Sequence, residues 1–276
     1  MSFYTSLTGL KAAQGDLATI SNNVANVNST AFKKSRTNFG DIFAAAPMQT
    51  TTQVAGQGTR INGIQQQFTQ GTVETTDKTL DLAITGEAFF TVQTPAPNLQ
   101  VSYTRNGAFG LDDNRFVVDT VGGRLQVFPV DANGVPTGTT QADLGDLQIP
   151  LSKPGDPTVQ LSSVGVSVEG LVTATFADST TTMLGSIAMA AFPSQEGLRQ
   201  KGDAHWEATL QSGAPVYGSA NGGLYGAVRS GALERSNVDI TEELVALISA
   251  QRNFQANAKA IETASAISNA IINLRG

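Results

Sequence analysis

Apolar residues recur at every seventh position near both ends of this chain. At the front, Phe3, Leu10, Leu17 and Val24 keep that spacing, and Ala13, Ile20 and Val27 each fall three positions after a member of the series. At the back, Ile240, Leu247, Phe254 and Ile261 repeat the pattern, joined by Leu244, Ala258, Ile267, Ile271 and Leu274. A heptad stripe places its side chains on one face of a helix and needs a partner helix to cover them. A strand with period two cannot present such a series on one side. Two striped helices flanking a different kind of sequence therefore point to assembly before catalysis.

The first helix is expected over residues 4 to 27, with Ser2 or Thr5 as N-cap. Gly9 and Gly15 lie inside it, and each costs about 1 kcal/mol relative to Ala. At about 1.5 Å per residue the rod is roughly 36 Å long and marginal by itself. Asn237 or Asp239 can cap the second helix, and Glu242 and Glu243 place acid in its first turn, where the dipole favours it. That helix is expected to run about 35 residues to Arg275, with Gln251 as a polar break in the seam that sets register.

Between the helices the pattern changes. Residues 31–74 and 228–239 read as extended linker, with Phe32, Phe39, Ile42 and Phe43 as short apolar pieces before the polar run Met48 to Gln53. From 75 to 227 the signals are strands and turns. Phe89-Phe90-Thr91-Val92 is a buried strand, Asp131-Ala132-Asn133-Gly134 a hairpin turn, and Val164–Val168 pairs with Val172–Phe176 across Glu169-Gly170. The fold class is α+β: terminal helices over 1–30 and 240–276 pairing as a coiled coil, with an inserted antiparallel, barrel- or sandwich-like β domain over 75–227.

Charged residues make up 14% of the 276 positions, against about 25% in ordinary soluble proteins. Weak mutual repulsion favours association of copies. A net charge of −6 argues against nucleic acid, which needs a basic stripe. The one basic cluster, Lys33-Lys34-Ser35-Arg36, reads as a solvated helix exit or bend rather than a phosphate site. With no cysteine there is no disulfide or thiolate chemistry. No apolar run approaches the roughly 18 residues of a membrane span. The first 25 residues lack the continuous apolar segment of a Sec-type signal.

No catalytic, cofactor-binding or metal-ligating set emerges. His205 is the single histidine and reads as packed beside a strand end with Trp206. Gly165–Gly170 nearly matches a nucleophile elbow, but the second glycine falls one residue late and in a strand–turn–strand setting. Asp112–Arg115 and Asp143–Asp146 lack calcium-loop spacing and read as Asx turns. The glycine-rich loop from Gly218 to Gly226 lacks the Gly-Lys-Ser/Thr of a phosphate loop. Asn28-Ser29-Thr30 fits a glycosylation sequon at a helix end.

Where the first helix ends, Ile20-Ser21-Asn22-Asn23-Val24-Ala25-Asn26-Val27-Asn28 resembles the Asn-Asn-(Ile/Leu/Val)-Ala-Asn signature of bacterial flagellar rod and hook axial proteins. The run Ser236-Asn237-Val238-Asp239, with Gln251-Arg252-Asn253-Phe254, is similar to that family's other end. Leu80–Phe90, Tyr103–Phe109 and Ser230–Glu234 agree as well, so the likeness covers nearly the whole chain.

The resemblance implies a subunit of a helical axial tube, exported without a cleaved signal through the flagellar type III apparatus. Its partners would be copies of itself and the adjoining axial, cap and junction proteins. The terminal helices would line the channel and the β domain would form the outer layer, in the hook or in the basal body. The assembly core would be Phe3, Leu10, Leu17, Ile20, Val24, Val27, Leu244, Leu247, Phe254, Ala258, Ile261, Ile267 and Ile271. Asn22, Asn23 and Asn26 would satisfy backbone groups at the helix end or bond a neighbouring subunit. The opening Met1-Ser2-Phe3 and the ending Ile271 to Arg275 are most similar to hook subunits. The length is closer to that of the distal rod, with 44–60 as a candidate insertion. Outside the resemblance, a monomeric β-domain binding module with a helical hairpin of its own remains the alternative.

Overall fold

The computed structural model describes residues 2–42 and 56–273. Phe43, Met48–Gln53, most of the 44–60 candidate insertion, Leu274 and Arg275 lie outside them.

Helix α1 is Ser2–Ala25 and helix α2 is Ile240–Asn273. Asp239 is the α2 cap: its Oδ1 accepts the backbone N–H of Thr241 at 2.8 Å and of Glu242 at 3.1 Å. These bonds from Glu242 and Thr241 hold the Asp239 carboxyl below its ordinary range. Asn237, the other candidate cap, instead donates from Nδ2 to the carbonyl and hydroxyl of Thr69.

Two compact units form. One comprises Met1–Asn28, Lys33–Gln67 and Val238–Gly276; the other comprises Ser29–Phe32 and Phe68–Asn237. In the first unit, α1 and α2 pack together. Strands β1 (Ser35–Asp41) and β2 (Thr59–Gln66) form an antiparallel hairpin against α1, with a bulge at Asn38/Phe39. Part of the stretch expected as linker is thus a regular hairpin. Gly15 explains its position, since a Cβ there would lie 2.3 Å from Cδ1 of Ile61. The glycine that weakens α1 as a helix is the point where the hairpin approaches it.

The second unit is an antiparallel β domain. Its main sheet runs Ser152–Lys153, Asp156–Val166, Leu171–Phe176, Thr181–Ile187, Arg124–Phe128, Phe89–Gln93, Val101–Thr104, His205–Glu207, Arg199–Gly202. The hairpin expected across Glu169-Gly170 forms, with Val166 opposite Val172. Asp131 to Gly134 is a turn, with the Gly134 N–H on the Asp131 carbonyl at 3.0 Å. The stretch from Gly185 to Phe192 is divided between two strands, Thr181–Ile187 and Met189–Ala191.

Phe89-Phe90-Thr91-Val92 is buried throughout because both faces of its strand are covered. Phe90 and Val92 join Leu82, Ile84, Leu125, Val172 and Ile187 in one core. Phe89 joins Tyr103, Phe192 and Trp206 in a second, aromatic core with edge-to-face rings.

Gly107 fits where no side chain can. A Cβ there would meet the Leu82 carbonyl oxygen at 1.7 Å, and the Leu82 N–H bonds the Gly107 carbonyl at 3.0 Å. Backbone has no rotamer with which to yield. Gly107→Ala is expected to destabilise the β domain by about 2–3 kcal/mol, measured as the shift of its urea unfolding midpoint.

Candidate assembly interface

Two contacts fix how the terminal helices meet. A Cβ on Gly9 would lie 2.7 Å from Oδ1 of Asn257. Further along, Asn23 Nδ2 donates to Glu243 Oε2 at 3.1 Å. The contacts advance by equal numbers of residues along α1 and backwards along α2, so the pair is antiparallel without a skip. Gly9 thus serves as the close-approach point for α2.

Among the expected core residues at the front of the chain, Ile20 is buried, Leu10, Leu17 and Val24 are half-buried, and Phe3 is exposed; Val27 is half-buried in the turn that follows α1. On α2, Leu247, Phe254, Ala258 and Ile261 are half-buried. Leu244, Ile267 and Ile271 are not brought into the pair: they are 44%, 62% and 60% exposed. Among the covered positions on α2, Glu243, Leu247, Ala250, Phe254, Asn257, Ile261 and Ala264 alternate four and three, with Ala246 and Ala258 partly covered beside them. The seam therefore passes through Ala250, and Gln251 is exposed beside it with Arg252. Its polar members are Glu243 and Asn257.

The family-signature residues divide by role. Asn23 is 2% exposed. Its Oδ1 accepts the Ser35 N–H at 2.9 Å, and its Nδ2 donates to the Ser35 carbonyl at 2.8 Å as well as to Glu243. One amide thereby ties the end of α1, the start of β1 and the first turn of α2. Thr37 Oγ1 donates to Thr19 Oγ1 at 3.0 Å one turn earlier. Lys34 Nζ lies 3.3 Å from Glu242 and 3.9 Å from Glu243. These groups border a cleft of about 280 Å³ that Asp16, Arg36 and Ala246 also line.

Asn26 caps α1 locally, its Nδ2 and backbone N–H both bonding the Asn22 carbonyl at 3.0 and 3.2 Å. Asn22 and Ala25 are exposed, while Ser236 and Val238 are buried. The buried polar residues Thr19, Asn23 and Glu243 escape a reading based on apolar spacing. A threonine, an asparagine or a first-turn glutamate carries no sign of burial in one sequence.

Exposed apolar residues remain on α2: Ile240, Leu244, Val245 and Ile248 near its start, and Ile267, Ile271 and Ile272 near its end. These aliphatic side chains carry no titratable or nucleophilic group. Among the described residues, no group of three or more His, Cys, Asp or Glu is placed to hold a metal. Among them, no helix is long and apolar enough to cross a membrane.

A helical pair formed from both termini, with a β domain inserted and apolar surface left over, defines a structural subunit. Residues 3–33 match "Flagella basal body rod protein", residues 83–174 match "Flagellar hook protein FlgE/F/G D1 domain", and residues 229–274 match "Flagellar basal body rod FlgEFG protein C-terminal". The basal-body rod protein FlgG of Bacillus subtilis is 32% identical, over 99% of this chain and 98% of its own. FlgG of Borreliella burgdorferi is 31% identical over 94% and 93%. The hook protein FlgE of Escherichia coli is 26% identical over 100% of both chains, in an alignment 411 positions long. The chain belongs to the family of flagellar hook and basal-body rod proteins, which is structural and not enzymatic.

Removing the Asn23 amide strands the Ser35 N–H and carbonyl and leaves the buried Glu243 with one donor fewer. Each such loss costs about 1–3 kcal/mol. Asn23→Ala is expected to destabilise the helical unit by about 2–4 kcal/mol, seen as an earlier loss of helical circular dichroism on heating.

Proposed function

We propose that this chain is a subunit of the flagellar hook, a bendable tube that carries torque from rod to filament. Assembly would bury the α2 side chains that α1 leaves exposed against neighbouring copies. The observation that carries the assembly reading is this exposed apolar surface at both ends of α2. Burying one aliphatic side chain contributes about 1.5–3 kcal/mol, so a few per subunit suffice for a polymer. Partners would be copies of the chain, the adjoining axial, cap and junction proteins, and the type III export apparatus during secretion. The β domain would form the outer wall, and sliding between neighbouring β domains would allow bending.

The opening Met1-Ser2-Phe3 and the ending Ile271 to Arg275, which are similar to those of hook subunits, support hook over rod. A rod subunit is the second reading, and length favours it. The alignment with FlgG of Borreliella burgdorferi is 271 positions long, near the 276 residues of this chain. The hook alignment needs 411.

Replacing Ile248, Ile267 and Ile271 together by Gln is expected to leave monomer helicity unchanged. The critical concentration for polymerisation should rise by at least about a hundredfold, at 1.4 kcal/mol per tenfold, measured by sedimentation. If the triple variant polymerises like the parent, this surface is not the seam.

Hook and rod separate in the cells that carry the gene. Its deletion is expected to leave basal bodies with a complete rod and no hook when imaged by electron microscopy. A truncated rod would establish the second reading.

A further inference from the structure

His205 opens the strand His205–Glu207 and is 5% exposed. Its Nδ1 lies 2.8 Å from the Asp203 carbonyl oxygen, and its Nε2 lies 2.7 Å from Oδ2 of Asp119. Neither partner offers a proton. A carbonyl has none, and Asp119 is held as a carboxylate whose Oδ1 accepts the Val121 and Gly123 N–H groups, each at 2.8 Å. A neutral imidazole has one N–H and one lone pair. In that state one of the two contacts would set lone pair against lone pair. Both are satisfied only when the ring carries two protons, a state assigned from its partners.

The partners belong to different segments. Asp119 heads the turn between Val117–Val118 and Arg124–Phe128. Asp203 and Ala204 form the turn from Arg199–Gly202 into His205–Glu207, with φ of +50° and +56°. Left-handed backbone at non-glycine residues is strained by about 1–2 kcal/mol each. Two bonds fix that turn, one from His205 to the Asp203 carbonyl and one from Thr104 Oγ1 to the Ala204 carbonyl at 2.8 Å. A cleft of about 220 Å³ adjoins the pair, lined by Thr94, Ser102, Val121 and Lys201. The charged groups facing His205 are Asp119, Asp203 and Lys201, whose Nζ bonds Gln100 at 2.9 Å. Arg199 and Glu207 pair with each other further along the hairpin.

We propose that His205 and Asp119 form a proton-operated latch, which fastens the hairpin 199–207 to the turn 119–123 while His205 is protonated and releases it when that proton leaves. The device belongs to the β domain alone and holds whether the subunit serves a hook or a rod.

The direction follows from linkage. Burial alone would lower the pKa of His205, but the bond to Asp119, that carboxylate's charge and the Asp203 carbonyl raise it above its ordinary value. Its contribution to stability is therefore complete below the unfolded value of about 6.5 and is lost as pH rises through the higher folded value. Burial would raise Asp119, but the His205 bond, the Gly123 and Val121 N–H groups and the imidazolium charge lower it. Its contribution is present above about 3.9 and is lost as pH falls through its lower folded value. The latch is closed between the two folded values.

The test is hydrogen–deuterium exchange of the full chain, read by mass spectrometry from mildly acidic to strongly alkaline pH. Exchange at the imidazole C2 carbon reports the titration of His205 without ambiguity, since it is the only histidine. The folded midpoint is expected above about 6.5. Amide protection in 119–123 and 199–207 should fall at least about tenfold across that midpoint, one decade for each 1.36 kcal/mol. In Asp119→Asn, the amide oxygen still accepts the two backbone N–H groups, and its N–H can donate to a neutral ring. That variant should titrate at or below the ordinary histidine value and keep its protection into alkaline pH. A parent midpoint at or below about 6.5, or equal alkaline loss of protection in parent and variant, would overturn the latch.

Discussion

The two terminal helices are unequal in length, and most of the architecture follows from that. Helix α1 has 24 residues and α2 has 34, so α2 is longer by about 15 Å at 1.5 Å per residue. The antiparallel register set at Gly9/Asn257 and Asn23/Glu243 brings the start of α1 opposite Ala264. Ala264 is the last position of α2 that is even partly covered. Ile267, Ile271 and Ile272 lie past the reach of α1 and stay in water. A chain that folds its own helices together in this way retains apolar surface that its own α1 cannot cover. The exposed apolar surface at the far end of α2 is then a consequence of helix length.

At the opposite end of the pair the seam is polar. Asn23, Glu243, Thr19 and Thr37 are buried there, where aliphatic side chains would pack with more stabilisation per residue. Polar groups in a seam accept partners only in one register, at some expense of stability. The Asn23 amide faces a backbone N–H, a backbone carbonyl and a carboxylate. A slip of one helical turn would leave all three short of a partner. The helical unit thus takes its register from hydrogen bonds at one end, while α2 leaves apolar side chains exposed near both of its ends.

Periodicity made the helices and their type legible, and the acidic first turn narrowed the α2 cap to Asn237 or Asp239, between which the hydrogen bonds of Asp239 decide. Glycine and Asn-Gly punctuation located the strands of the β domain. The β1–β2 hairpin was hidden because Ser35–Asp41 and Thr59–Gln66 are largely polar and keep no strict alternation. Gln251 occupies a heptad position and Ala250 is small, so the heptad count places the row between Leu247, Phe254 and Ile261 one residue late, while those three lie on the seam. Gly9 and Gly15 registered as weaknesses of a helix, since the groups they admit, Asn257 and Ile61, are distant in sequence. Single-residue spacing carries no information about long-range partners, and each misreading lies at such a contact.

The β domain closes on its own entry and exit, which suits an insertion between paired termini. Ala227–Ser230 pairs with Leu82–Thr85, and Ala232–Glu234 pairs with Val73–Thr75. Arg235 then donates its N–H to the Thr72 carbonyl at 2.8 Å, and Gly71 donates to Glu234 Oε1 at 2.9 Å. Glu234 and Arg105 are both essentially inaccessible, with Arg105 Nη1 3.6 Å from Glu234 Oε2 and its guanidinium over the Phe89 ring at 5.1 Å. Burial lowers the Arg105 pKa and the charge of Glu234 opposes the shift. Desolvating two ions costs several kcal/mol, so the pair adds little net stability, but an arrangement that separates them would leave a bare buried charge. Arg105 follows Val101–Thr104 and Glu234 ends the strand that leaves the domain. The exit strand is therefore tied to the interior of the sheet by an interaction that tolerates no alternative pairing.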